Sequence, residues 1–182
     1  RFDSALVAAH DASASQAHPP ACLYVLATPI GNLADMGLRA LHVLTLADAL
    51  ACEDTRHSQT LLRGYGIDKA ASAFLALHQH NESSAAEQVI LRLQSGQRVA
   101  YLSDAGTPAI SDPGFRVVRA CRRRGLPVVP VPGASAVVAV LVRGWKLTMS
   151  ASDSALSSTK VTRWSGSLIR PSAVTEPPRT PR

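Results

Sequence analysis

Five short apolar runs punctuate the chain between residues 23 and 131, and each leads through a polar turn into a stretch whose apolar positions fall three and four apart. The runs at 23–27, 74–77, 98–102 and 128–131 have the length and the β-branched or aromatic content of buried strands, and 47–52, built from Ala, Leu and Cys around Asp48, has the length of one. Between them, residues 35–46 place Leu38, Leu41, Val43 and Leu44 on the buried face of a helix, and a second helix runs to Arg63 ahead of Gly64 and Gly66. Residues 85–93 carry Val89, Ile90 and Leu93 at helical spacing before Gly96. Phe115, Val117, Val118 and Cys121 mark a helix over 115–124, and a last helix follows Pro132-Gly133-Ala134-Ser135.

Strands alternating with helices five times predict an α/β fold, a parallel five-stranded sheet flanked by helices. Right-handed crossovers bring the loops that follow the strands to one carboxyl rim, where open sheets of this class hold ligands. The loop after the fourth strand, Ser103-Asp104-Ala105-Gly106-Thr107-Pro108-Ala109-Ile110-Ser111-Asp112-Pro113-Gly114, is the most distinctive, with two acids, two glycines and two prolines between a strand and a helix. Gly106 permits close backbone approach to a ligand, Thr107 offers a hydroxyl, and Pro108 limits the order lost on binding. From chemistry alone Asp104 reads as a turn or helix-cap carboxylate bonded to local backbone. Asp112-Pro113-Gly114 reads as the start of the next helix.

Composition narrows the class. At 46% hydrophobic and 4% aromatic, the chain builds its core from Ala, Val and Leu and lacks an evident aromatic platform for single strands. The net charge of +6 is unevenly placed: residues 1–141 hold a net of +1 and residues 142–182 a net of +5. Within the body the dense basic cluster is Arg119, Arg122, Arg123 and Arg124, at a helix end where cations suit the dipole. Cys22, Cys52 and Cys121 are too few and too widely spaced for a disulfide framework or a zinc knuckle, which fits a reducing cytoplasm. The apolar window 126–142 is broken by Pro127, Pro130, Pro132 and Gly133, so no membrane span is expected there. Residues 1–21 lack sustained periodicity and read as a flexible leader without a signal-peptide pattern. Residues 22–141 form the α/β domain. Residues 142–182, rich in Ser, Thr, Arg and Pro, read as a basic, disordered or out-of-frame tail.

The loops taken together match one family. Leu23-Tyr24-Val25-Leu26-Ala27-Thr28-Pro29-Ile30-Gly31-Asn32-Leu33, Glu53-Asp54-Thr55-Arg56-His57, His80-Asn81-Glu82, Ser103 to Gly114 and Val131-Pro132-Gly133-Ala134-Ser135-Ala136 resemble, in order and spacing, the small-subunit ribosomal RNA methyltransferase I group of the tetrapyrrole methylase superfamily. The resemblance implies an enzyme that uses S-adenosylmethionine to methylate the 2′-oxygen of a cytidine ribose in the decoding region of 16S ribosomal RNA. It implies the small ribosomal subunit as partner, the cytoplasm as location and a homodimer for the full-length form. It also implies a second α/β domain closing on the donor. Here the chain departs: after the Pro-Gly-x-Ser helix it continues as Val142-Arg143-Gly144-Trp145, as a truncated or frame-shifted reading frame would.

Carried onto this sequence, the resemblance places Pro29, Gly31, Asp104, Gly106, Thr107, Gly133 and Ser135 around S-adenosylmethionine. The loop at Thr28 to Asn32 lacks the glycine pattern and the lysine of a phosphate cradle. Glu53, Asp54, Arg56 and His57 are the candidate catalytic group, with an acid or His57 acting on the 2′-hydroxyl and Arg56 on a phosphate. The same string reads as a helix cap at Asp54 or Thr55 with a solvated rim, and the residues alone do not choose the base. His57, His78 and His80 read as surface histidines; methyl transfer from a sulfonium requires no metal. A tetrapyrrole methyltransferase and an inactive RNA-associating fragment are the competing readings.

Overall fold

Short apolar runs bounded by turn residues form the strands, four of them with β-branched or aromatic side chains and one of Ala-Leu-Ala-Cys, and among the described residues they pair in one sheet. The computed structural model describes residues 2–78, 81–108 and 114–142. Strands β1 (Leu23–Leu26), β2 (Ala49–Cys52), β3 (Phe74–Ala76), β4 (Val99–Leu102) and β5 (Val128–Val131) lie in the order β3-β2-β4-β1-β5, and every pairing is parallel. The expected five-stranded parallel sheet is therefore the one found. Leu23 sits opposite Val99 on one side and Val128 on the other, so the first strand made is the fourth across the sheet.

Helices α1 (Asp3–Ser13), α2 (Leu38–Leu46), α3 (Thr55–Tyr65), α4 (Glu82–Gln94) and α5 (Gly114–Arg123) complete the frame, and residues 136–142 are helical as well. Strand side chains alternate between faces. Tyr24, Leu26, Leu50, Cys52 and Leu102 join Leu41, Leu44, Leu62 and Tyr65 in one apolar core, while Leu23, Ala49, Ala51, Val99 and Tyr101 join Val89, Ile90, Leu93, Val117 and Cys121 in another. Thus α2 and α3 cover one face and α4 and α5 the other, as right-handed crossovers in opposite directions along the sheet require.

Helix boundaries follow local chemistry. The helix expected over 35–46 begins at Leu38, because Asn32 accepts a bond from the Ala34 amide (3.1 Å) and holds Leu33–Asp35 in a separate 3-10 turn. Gly64 stays inside α3, which ends at Gly66 with φ of 84°.

The expectation of a flexible leader is corrected by the fold: residues 3–13 are helical, and α1 packs on α2. Phe2, Ala5, Leu6, Ala9 and Ser13 recur at helical spacing; Ala9 and Ser13 are buried, and the Phe2 and Tyr65 rings lie 4.9 Å apart. The connection to β1 is tied down by bonds from the Tyr24 hydroxyl to the Pro19 carbonyl (3.0 Å) and from Arg98 Nε to the His18 carbonyl (3.0 Å). The expectations for residues 143–182 and 109–113, and for His80, fall outside the described residues. Among the described residues no helix is long and apolar enough to cross a membrane.

Candidate functional site

Neighbouring strands β1 and β4 send their chains away on opposite faces, β1 through α2 and β4 through α5. Such a divergence opens a crevice at the carboxyl edge, the position at which open α/β sheets bind ligands. The loops on its two sides are joined by a two-residue bridge: the Thr28 amide donates to the Gly106 carbonyl (2.9 Å), and the Gly106 amide returns a bond to the Thr28 carbonyl (3.0 Å). The Thr28 hydroxyl, 1% exposed, donates to the Ser103 carbonyl (3.0 Å), and the Ser103 hydroxyl to the Gly106 carbonyl (3.1 Å). A third loop is drawn in by Thr107, whose hydroxyl donates to the Ala134 carbonyl (2.9 Å).

The glycines make this approach possible. Gly106 has φ of 81° and lies under Ile30, so an L side chain there would be strained. A Cβ on Gly133 would stand 2.9 Å from the Ala27 Cβ, closer than packed carbons allow. The loops after β1, β4 and β5 therefore form one body, and beside it lies a cleft of about 760 Å³ walled by Ile30, Asp35, Gly37, Gly133, Ser135 and Val138, among others.

Of the residues expected to hold the methyl donor, Gly133 and Ser135 line this cleft. Ile30 lines it between buried Pro29 and exposed Gly31. Gly106 and Thr107 act behind the wall, through Thr28 and Ala134. Asp104 is exposed on the same loop, and its charge, with those of Asp54 and Glu53, reaches the Cys52 thiol, which burial above all pushes up to about 11. Ser135 caps residues 136–142, its hydroxyl accepting from the Val138 amide (3.5 Å).

The charged group follows β2, on the far side of β4 from β1. Asp54 is the N-cap of α3: one carboxylate oxygen accepts from the Arg56 amide (2.8 Å) and the His57 amide (3.2 Å), and these bonds hold its pKa below the usual carboxylate value. Arg56 and His57 stand exposed in the first turn. His78 is exposed after β3, where its amide donates to Asn81. Among the described residues no group of three His, Cys, Asp or Glu side chains could hold a metal ion.

Sequence reading missed Asp35, the Val138 wall and the role of Thr28. Asn32, a capping residue three positions before an acid, is the signal that could have lifted Asp35 out of the predicted helix and into the turn facing the cleft. A threonine hydroxyl that bonds backbone 75 residues away leaves no such local trace.

Against this geometry stand the known proteins. The profile of the family described as Tetrapyrrole (Corrin/Porphyrin) Methylases matches residues 22–175. Over 119 residues the chain is 56% identical to the Ribosomal RNA small subunit methyltransferase I of Pasteurella multocida, covering 65% of this chain and 41% of that protein. The protein of the same name from Escherichia coli O157:H7 is 51% identical over 119 residues, with the same two shares. Solved structures share the fold at lower identity: the cobalamin biosynthetic cobalt precorrin-4 methyltransferase (TM-score 0.53, 20% identity, 69% of this chain and 51% of that one) and the uroporphyrin-III-C-methyltransferase of Thermus thermophilus (TM-score 0.52, 23% identity, 68% and 51%). The chain spans about two fifths of the length of these curated ribosomal RNA relatives.

Proposed function

Because this chain belongs to the tetrapyrrole (corrin/porphyrin) methylase family, we propose that residues 22–141 are the S-adenosylmethionine-binding domain of an enzyme that methylates the 2′-oxygen of a cytidine ribose in the decoding region of 16S ribosomal RNA. The observation that carries this reading is the bridging of the loops after β1, β4 and β5 beside an apolar cleft in whose wall Asp35 is the one carboxylate among the described residues. Identity of 51–56% to proteins named for ribosomal RNA, against 20–23% to corrin and porphyrin enzymes, favours RNA over a tetrapyrrole as acceptor.

The cleft fits the donor. Its volume suits a nucleoside-sized ligand, and Ile30 and Val138 offer apolar surface for a purine. Asp35 offers a carboxylate for ribose hydroxyls or an ammonium group. Gly133 packs so closely on Ala27 that no Cβ fits between them, and its backbone forms part of the cleft wall, where main-chain groups would meet the methionine end. When bound, S-adenosylmethionine supplies an electrophilic methyl group on a sulfonium. The protein's part is to align the ribose oxygen with it and to take the hydroxyl proton. We assign that proton to His57, which is exposed in the first turn of α3, because the neighbouring Asp54 carboxylate is committed to the helix cap. Arg56, exposed beside it, suits a flanking phosphate. The relatives are longer than this chain, and the exposed Val138 supports closure of the cleft by a further domain in the full-length form. A substrate in the small ribosomal subunit puts the enzyme in the bacterial cytoplasm.

Two measurements test the proposal. Calorimetry on the present chain is expected to show micromolar S-adenosylmethionine binding that Asp35→Ala weakens; absence of binding to folded protein rules the reading out. In the full-length form, transfer of a labelled methyl group to small ribosomal subunits should fall by about 10²–10⁴-fold in His57→Ala with donor affinity retained. Transfer to a tetrapyrrole alone would overturn the acceptor.

A further inference from the structure

Helix α5 carries a second surface outside the donor cleft. Gly114, Val117 and Cys121 are buried on its inner side. Phe115, Arg119 and Arg122 form an outward stripe at helical spacing, with half-buried Val118 at its inner edge, and together with Arg123 they line an open groove of about 490 Å³. Phe115 is 55% exposed, unusual for a phenylalanine with a core beneath its own helix. Two neighbouring arginines are neutralised, Arg116 by Glu82 and Arg124 by Glu87 (2.8 Å). Arg119, Arg122 and Arg123 have no acidic partner among the described residues. The helix dipole accounts for cations in the last turn, Arg122 and Arg123, but not for Arg119 one turn earlier or for the exposed ring of Phe115.

We propose that this stripe is a docking face for single-stranded or loop RNA, with phosphates on the three free guanidiniums and a base stacked on Phe115. Guanidiniums pair with phosphate oxygens bidentately and are weakly hydrated, so three of them on one helix face complement a polyanion. A flat ring among them supplies the sequence-tolerant stacking by which unpaired bases are held. The identity of the polymer rests on the RNA reading above. The face itself is separate from the cleft, and α5 follows β4 in the chain, so RNA lying along it is held by the same sheet that carries the rim.

The test is fluorescence anisotropy of a labelled pyrimidine-rich 12-nucleotide RNA with the whole 182-residue chain, titrated with salt. Any background from residues 143–182 is common to all variants. The triple variant R119E/R122E/R123E is expected to lower the slope of log K against log salt by about 2, as losing three phosphate contacts on a single strand should. Phe115→Ala is expected to weaken binding about tenfold. R116Q/R124Q, which removes arginines already paired, should leave the slope unchanged. Far-ultraviolet circular dichroism confirms folding; if the triple variant does not fold, photo-crosslinking of 4-thiouridine RNA to the parent chain must map to residues 115–123. An unchanged slope in folded triple variant, crosslinks elsewhere, or no RNA binding by the parent overturns the proposal. So does an unchanged slope with altered sedimentation, which would assign the face to a protein partner. Calorimetry with S-adenosylmethionine separates the two ideas: lost donor binding in the parent sinks the methyltransferase reading and leaves the slope test valid, whereas a triple variant that binds donor normally but shows the parent slope sinks this one alone.

Discussion

Thr28 illustrates how much one buried hydroxyl can decide. It donates to the Ser103 carbonyl, while its own amide and carbonyl exchange bonds with Gly106, so three polar groups of one residue join the loops after β1 and β4. Thr28→Val keeps the shape and removes the hydroxyl, leaving the Ser103 carbonyl short of a partner. Unfolding by urea should show a loss of about 1–3 kcal/mol, and Thr28→Ser, which restores the donor, should recover most of it. Equal stability of all three proteins would show that the bridge is held by its backbone bonds alone. Residue-level chemistry was partly legible beforehand. A cap at Asp54 or Thr55 followed from the polar pair ahead of a helix, and the structure uses Asp54. The engagement of Thr107 with Ala134 did not follow, because strand order decides which loops are neighbours and no local pattern encodes it.

At the scale of elements, all five strands and five of the helices could be read, since nearly all have a run or a stripe of large apolar residues bounded by turn formers; β2, Ala-Leu-Ala-Cys, has only Leu50. Helix α1 could not. Its buried positions are chiefly Ala and Ser, and a stripe of small residues carries little hydrophobic contrast until α2 is set against it. What joins these two helices also makes them sensitive to acid. His42 on α2 is 7% exposed, with the His18 ring 4.8 Å away and the His10 ring 5.8 Å away; His10 in turn contacts Asp11. Burial first, then the charges of His18 and His10, lowers the His42 pKa below its ordinary value. A base whose folded pKa is depressed binds its proton more readily when unfolded. Stability from this site is therefore full above about pH 6.5 and declines as pH falls through that value toward the folded one. Thermal melts between pH 7.5 and 5 should show a falling midpoint, and His42→Leu should flatten the fall. An unaltered dependence in that variant would exclude the cluster as its source.

The described residues form one sheet with two cores, and the three cysteines report on both. Cys22 and Cys52 lie in the core under α2 and α3, Cys121 in the core under α4 and α5, and all three are free and 0% exposed. Burial raises the thiols of Cys52 and Cys121 to about 11, so neither is a ready thiolate at neutral pH. In native buffer at pH 8 a thiol reagent should label less than one cysteine per chain, and in denaturant all three. If the two faces open together, the three sites will be labelled at one common rate, because the strands between them belong to both cores. Faster labelling of Cys121 would mean that α4 and α5 detach while the sheet stays closed.

The strand order has a consequence for synthesis. Leu23 leaves the ribosome early, yet its two neighbours are Val99 and Val128. The nascent chain must hold β1 unpaired while α2, β2, α3, β3 and α4 are made, and contacts so distant in sequence form slowly. The bridge from Thr28 to Gly106 and the bond from Thr107 to Ala134 come later still, so the walls of the cleft at the carboxyl edge are assembled last. A chain ending before residue 128 could form three of the four strand pairings and yet would lack the Gly133 to Val138 side of the cleft.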